Sequence, residues 1–460
     1  MTLTDRYIDH LHATATAEIP DGIMREARKR LLDFLGAAIG GVTLSGGRLA
    51  AAPMLDPPEL GKSTIIGTDR KSSPALAALI NGFHGHVAEV DDGDRRAMMH
   101  PGAPVISALL AVAEQRSLRL VDVLRGIVVG YEAAVLLGRA MQPRLKEAGY
   151  HATGVCGTVG AALAITAALM LTRESMHAAV SAAATSAAGL LNVVSGRSEL
   201  KPYNAGHAAQ SGISAALVAE AGFSGSEDVL GAVNGMLSVF LRTKENALAD
   251  AIPHPGEFLI SDTYVKPYAA CRHSHPAVEA ALLIRARNRF APREIVDVQV
   301  RTYKWAVALH DHTEITSVGS AKMSTPFSVA VALQTGRAGV VEFNDASVRD
   351  DANLRLTKLI DVEEDTELTA VVPEKRPAIV TVRLSSGAQY SERIDLPKGE
   401  PERPVSDEEL MTKFVDLCSV SGMKTTGTNV LASQVLGADC ESRCVSELLS
   451  RTDPNSFLEE

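Results

Sequence analysis

Four stretches of this 460-residue sequence concentrate groups that can hold or move a proton: "HGHVAEVDDGDRRAMMHPG" (84–102), "GYHATGVCG" (149–157), "SELKPYNAGH" (198–207) and "VKPYAACRHSHP" (265–276). Each sets acid, imidazole or ammonium groups beside Gly or Pro at the edge of an apolar run. Loops held by a rigid helical scaffold are where reactive groups concentrate. His100 is the strongest candidate for proton transfer, because imidazole titrates near neutral pH. Asp91 is placed to orient or tune it, or to act as the base itself. Asp91 and Asp92 follow a helix pattern that ends near Val90, where the helix dipole disfavours acids, so they need water or a cation. His151 opens a Gly/Thr-rich turn into the most apolar segment of the chain. That pattern predicts a helix N-terminus suited to an anion such as a carboxylate, with a capping role as the equal alternative. Lys201 is the only lysine between Lys146 and Lys244. A buried ammonium needs a partner, and Glu199, which with Arg197 closely precedes it, is the acid nearest in sequence. Lys266, Arg272 and His275 gather where the texture of the chain changes.

Other chemistries find no support. The five cysteines are scattered, and Cys440 and Cys444, four residues apart, have no complementary Cys or His pair nearby. "CRHSH" likewise lacks a second ligand pair at zinc spacing, so no metal is expected. No G-x-G-x-x-G follows a strand pattern, and neither a P-loop, a G-x-S-x-G nor an H-E-x-x-H is present, so a nucleotide cofactor or a Ser-hydrolase mechanism has no support. The formal net charge of −10 argues against a nucleic-acid surface. The first residues show no secretory pattern, and the odd, dispersed cysteines suit a reducing compartment, so a cytoplasmic location is expected. Residues 151–172 and 176–196 carry no Asp, Glu, Lys or Arg. Their Ala, Gly, Ser and Thr content reads as buried helices rather than membrane spans.

These groups must be positioned by a mainly helical scaffold. With 4% aromatic residues and abundant alanine, the chain predicts close-packed helices. "DGIMREARKRLLDFLGAAIGG" predicts a helix capped by Asp21 and ended by Gly40-Gly41. Helical periodicity continues to about residue 262. "EIVDVQVRTY" and "AIVTVRLSSG" then alternate as strands, with Val296, Val298, Val300 and Thr302 on one face of the first and Val380, Val382 and Leu384 on one face of the second. The expected fold is multidomain, α and α+β. A large all-helical domain takes residues 1–262, a smaller α+β lid takes 263–400, and segment 401–460 returns to the helices.

Together and in this order, the four stretches, with "AKMSTPFSVAVALQTGRAG" (321–339), resemble the MmgE/PrpD family of 2-methylcitrate dehydratases, cis-aconitate decarboxylases and iminodisuccinate epimerases. The resemblance implies a helical domain and an α+β lid with the active site between them, a homodimer, a small carboxylate substrate, and catalysis without metal or nucleotide. It assigns catalytic parts to Asp91, His100, His151, Lys201 and Lys266. It assigns substrate contacts to Asp92, Tyr150, Arg272, His275 and Ser324. The chain departs from the family pattern at Glu89 (usually Asp), Gly93 (often Thr or Ser), Asn204 (His) and Phe327 (Tyr). The shared chemistry is proton movement at a carbon beside a carboxylate. The expectation is a lyase that dehydrates a small hydroxy di- or tricarboxylate. Epimerisation of a dicarboxylate and decarboxylation of a cis-aconitate-type acid are the alternatives, and a non-catalytic scaffold is a remote one.

Overall fold

The computed structural model describes residues 1–52, 61–194, 198–243, 247–254, 256–437 and 440–457, so Arg197 lies outside the described residues. The chain divides into two compact units. One comprises Met1–Asn192, Leu200–Thr263 and Leu417–Glu460, the other Val193–Glu199 and Tyr264–Asp416.

The first unit is built from α1 (Leu3–Thr16), α2 (Asp21–Leu44), α3 (Pro74–Val87), α4 (Gly102–Gln115), α5 (Leu120–Met141), α6 (Ala152–Ala168), α7 (Arg173–Ser186) and α8 (Lys201–Glu220), with shorter turns between them. Helix α6 is its centre: all 17 of its residues are buried, and it packs against α4, α5, α7 and α8. Burying one CH₂ contributes roughly 0.8 kcal/mol. The alanines of α6 therefore gain less per residue than its Leu163 and Ile165, but they let neighbouring backbones approach. This burial explains why the segment carries no charge. Among the described residues no helix is long and apolar enough to cross a membrane.

Helix α2 departs from its expected ends. Pro20 is the N-cap, without a side-chain cap, and the helix runs on through Gly40-Gly41 to Leu44. The glycines serve contact rather than termination. A Cβ on Gly41 would lie 2.0 Å from the carbonyl oxygen of His84, so only a residue without one lets α2 pass against α3.

The second unit carries a four-stranded sheet of β1 (Ile295–Thr302), β2 (Ile360–Glu364), β3 (Ala378–Leu384) and β4 (Gln389–Ile394), in the order β2-β1-β3-β4. The β1–β2 pair is parallel and the others are antiparallel. Helix α9 (His275–Arg287) packs on β3 and β4, and α10 (Thr325–Thr335) packs on α9 and β2. Val298, Val300 and Thr302 face the core, as do Val380, Val382 and Leu384. At the start of β1 the expected alternation inverts: Ile295 is buried and Val296 is exposed. A register shift between Ile295 and Asp297 causes it, because a bulge moves the preceding side chains to the opposite faces. The division between units falls inside helix Asp407–Val420. A large helical unit and a smaller α+β unit are the fold class the sequence predicts.

Candidate active site

In the first unit the chain leaves α3 and turns sharply at Glu89, which adopts a left-handed backbone (φ 57°). The turn folds Asp91 back onto the last turn of α3, where its Oδ2 lies 2.6 Å from His86 Nδ1. His100 Nδ1 lies 2.6 Å from the carbonyl oxygen of Asp92 and 3.5 Å from Asp91 Oδ2. A carbonyl oxygen can only accept, so His100 Nδ1 carries the proton and the neutral ring has its lone pair on Nε2. The backbone N–H of His100 donates to Thr153 Oγ1 at 3.1 Å, which ties the loop to the first turn of α6.

His151 is the N-cap residue of α6, and its side chain makes no capping bond. Its Nδ1 instead meets Asn204 Nδ2 at 3.0 Å. Burial, then the nearby charges of Lys201 and His86, hold its pKa well below the usual histidine value. Lys201 begins α8 and forms a buried ion pair with Glu89, a partner 112 residues away where the sequence offered Glu199. The ring of His86 lies 5.0 Å from that of His100 and 6.3 Å from that of His151. One unit therefore brings together Glu89, Asp91, His100, His151 and Lys201. Tyr150 stands beside them in sequence and packs edge-on against Phe240, 4.9 Å between ring centres.

Asp92 faces another way. Its carboxylate accepts from Tyr131 Oη at 2.5 Å and from the Gly102 N–H at 3.1 Å, with Arg30 Nε at 3.6 Å. Burial pushes its pKa up to about 7 against the pull of Arg30 and the Tyr131 hydroxyl. A Cβ on Gly102 would lie 2.7 Å from both Asp92 Oδ1 and Tyr131 Oη, so glycine lets α4 begin on this pair. The carboxylate of Asp92 thus anchors α4, while its carbonyl fixes the His100 ring. Sequence reading passed over Arg30 and Tyr131, which have no local signal. It also passed over His86, whose only signal was lying in the same stretch as Asp91.

His86, Asp91 and His100 each offer a ligand atom, all within 4.8 Å of one another. The 2.6 Å His86–Asp91 separation is that of a hydrogen bond, and a metal would have to break it to bind both atoms. Proton chemistry fits the trio better.

The second unit holds the remaining candidates. Lys266 is fully buried, and its positive charge helps to lower the pKa of His275, after burial and Arg272. Arg272 binds Glu400 Oε1 through Nη2 and Nε at 2.7 and 3.2 Å, donates to the carbonyls of Lys398 and Pro397, and lies over the Tyr264 ring at 4.4 Å. It also donates to His275 Nδ1 at 2.9 Å, so that His275 Nε2 carries a proton and donates to the Ala270 carbonyl at 3.1 Å. Ser324 caps α10: its hydroxyl accepts from the Phe327 N–H and donates to the His312 carbonyl. Phe327 is fully buried and meets Phe343 edge-on. Arg272, His275 and Ser324 are thus each held by contacts within the second unit.

A proton acceptor, a proton donor, a carboxylate beside them and a buried lysine are the equipment of an acid–base enzyme. The chain belongs to the MmgE/PrpD family: the family's N-terminal domain matches residues 6–249 and its C-terminal domain residues 268–431. It is 27% identical to a cis-aconitate decarboxylase of Aspergillus terreus, over 92% of this chain and 91% of that protein. It is 24% identical to the human cis-aconitate decarboxylase, over 90% of this chain and 87% of that one. A cis-aconitate decarboxylase-like protein of Aspergillus oryzae is 26% identical, over 94% of both chains.

Proposed function

We propose that this protein is a cofactor-independent lyase acting on a small di- or tricarboxylate by proton transfer at the carbon beside a carboxylate. The observation that carries this reading is the pair of complementary imidazoles. His100 presents an unprotonated Nε2, and His151 presents an Nε2–H. Asp91, 3.5 Å from His100 Nδ1, stabilises the imidazolium that forms when Nε2 takes a proton. Lys201 and the His151 N–H hold a substrate carboxylate where negative charge develops, usually the largest catalytic term. Lys266 and Tyr150 are proposed as further substrate contacts.

Decarboxylation of a cis-aconitate-type acid comes first, because relatives that cover most of both chains bear that activity in their names. There the carboxylate leaves as CO₂, the electron pair of the broken C–C bond stays on the carbon, and His100, having taken a solvent proton at Nε2, delivers it to that carbon. Dehydration of a hydroxy acid is the second reading, favoured by the acceptor–donor pair. His100 takes the carbon-bound proton and, as the imidazolium, returns it to the departing hydroxyl, while the His151 Nε2–H hydrogen-bonds that oxygen.

Turnover in deuterated water separates these readings. CO₂ release with one deuterium on the product marks decarboxylation, water loss marks dehydration, and deuterium on an unchanged skeleton marks an epimerase. Inertness toward aconitate, citrate, methylcitrate, malate and aspartate-derived acids would overturn the proposal. Treatment with a chelator is expected to leave the rate unchanged.

A further inference from the structure

The segment after α7 is strapped to the entrance of α6. The His151 N–H donates to the Gly189 carbonyl at 3.0 Å and the Leu191 N–H to the Gly149 carbonyl at 2.8 Å, around a bridge between Tyr150 and Leu190. That strap fixes the Leu190 carbonyl, which Asn204 Nδ2 approaches at 3.3 Å. A carbonyl only accepts, so it dictates that the amide nitrogen of Asn204, not its oxygen, lies on this side. The same nitrogen is 3.0 Å from His151 Nδ1. Because an NH₂ group only donates, Nδ1 must offer a lone pair, and the ring proton must sit on Nε2. Among the described residues, Nε2 has no hydrogen-bond partner. Asn204 and His151 are both buried, so water does not compete freely for either group.

We infer that Asn204 is a positioning residue that holds His151 as its neutral Nε2–H tautomer, a fixed hydrogen-bond donor to a substrate oxygen and not a proton acceptor. A proton on Nδ1 would point at the amide hydrogens, which closes the ordinary route to imidazolium. Burial and the charge of Lys201 act in the same direction. The two site histidines then cannot exchange roles: the Asp92 carbonyl sets His100 as the proton carrier, and the Leu190 carbonyl, through Asn204, sets His151 as the donor. The catalytic consequence rests on the function proposed above; the tautomer does not.

Long-range ¹⁵N–¹H spectra of histidine-labelled protein test the inference directly, with the His151 signal among 13 histidines identified by its loss in His151→Gln. The expected result is an unprotonated Nδ1 and a protonated Nε2 throughout about pH 5 to 8, where an ordinary imidazole titrates. Asn204→Asp, whose carboxylate can only accept, is expected to move the proton to Nδ1 and let the ring titrate. Turnover should fall ~10²-fold, the scale of losing an oriented donor, with a new ionisation in the pH–rate profile. Asn204→Leu should give mixed tautomers. A protonated Nδ1 in the unaltered protein overturns the inference, and that spectrum decides the matter even if Asn204→Asp does not fold. An unchanged tautomer in a folded Asn204→Asp also overturns it. The expected tautomer in a protein inert toward every acid upholds the positioning and sinks the proposed reaction.

Discussion

His275 in the second unit gives both ring nitrogens away, one to Arg272 and one to the Ala270 carbonyl. His151 in the first unit spends Nδ1 on Asn204 and keeps an Nε2–H that meets no partner among the described residues. Both rings are buried, both are held neutral, and both have a pKa well below the ordinary value. What separates them is valence. A ring with both nitrogens satisfied is structural material, whereas a ring with one nitrogen fixed and one edge left over is oriented for chemistry. The cations differ in the same way. Arg272 is held by a carboxylate, two carbonyls, an imidazole and an aromatic face, while Lys201 pairs with one carboxylate, Glu89, among the described residues.

Substitutions can break this contrast. His100→Ala should lower turnover by ~10² to 10⁴-fold, the range for a general acid–base group, with an unchanged unfolding midpoint; Lys201→Ala should cost at least ~10²-fold. Near-normal rates in both, measured on folded protein, would remove the chemistry from the first unit. Arg272→Met should act on the other side of the contrast. It removes the Arg272 half of a buried ion pair and should cost about 3–5 kcal/mol of stability in urea unfolding. A stable Arg272→Met protein with a large rise in KM would make Arg272 a substrate contact instead.

His84 provides a pH test. Burial lowers its pKa from 6.5 to about 4, and among the described residues neither of its nitrogens has a hydrogen-bond partner. Between those values the unfolded chain binds the proton and the folded one does not. Stability therefore rises with pH through this window, by on the order of 3 kcal/mol. Asp92 works against it: with its pKa raised from 3.8 to about 7, its stabilising proton is lost as pH rises through 7. Comparing the unaltered protein with His84→Leu across pH 4 to 7 cancels the Asp92 contribution, and the variant should lose the rise that belongs to His84. The smallest effect is expected from Ser324→Ala, which removes a helix cap worth about 1 kcal/mol and should leave KM unchanged. A large KM effect would return Ser324 to the substrate.

What could be read from the sequence was what depends on neighbours in the chain. The alternation of Val380, Val382 and Leu384 announced β3, and α5 begins and ends where its apolar pattern does. Apart from the N-cap of α2, which falls on Pro20 instead of Asp21, the misreadings are long-range. Val296 was placed in the core because a bulge depends on the partner strand. Gly41 was taken as a terminator because its reason for being glycine is the His84 carbonyl, forty-three residues on. The Lys201 partner came from another helix end. Histidine and aspartate types identified the right loop, but the assignment of protons to particular nitrogens came from backbone carbonyls, which carry no sequence signature. Asn204 stood out only as a departure from a family pattern, and its meaning depended on where Leu190 puts its oxygen.

The passage of α2 against α3 at Gly41 also bears on how this protein can be altered. Retuning it toward another substrate by random mutagenesis would spend few successful clones there, since every codon but glycine pushes apart the two helices on which the His86 end of the site is built. Loss of activity from a change at Gly41 would record a displaced wall and carry no information about the substrate. The informative library lies instead at Arg96, which is exposed, and at Asn204, away from the Asp92 anchor of α4.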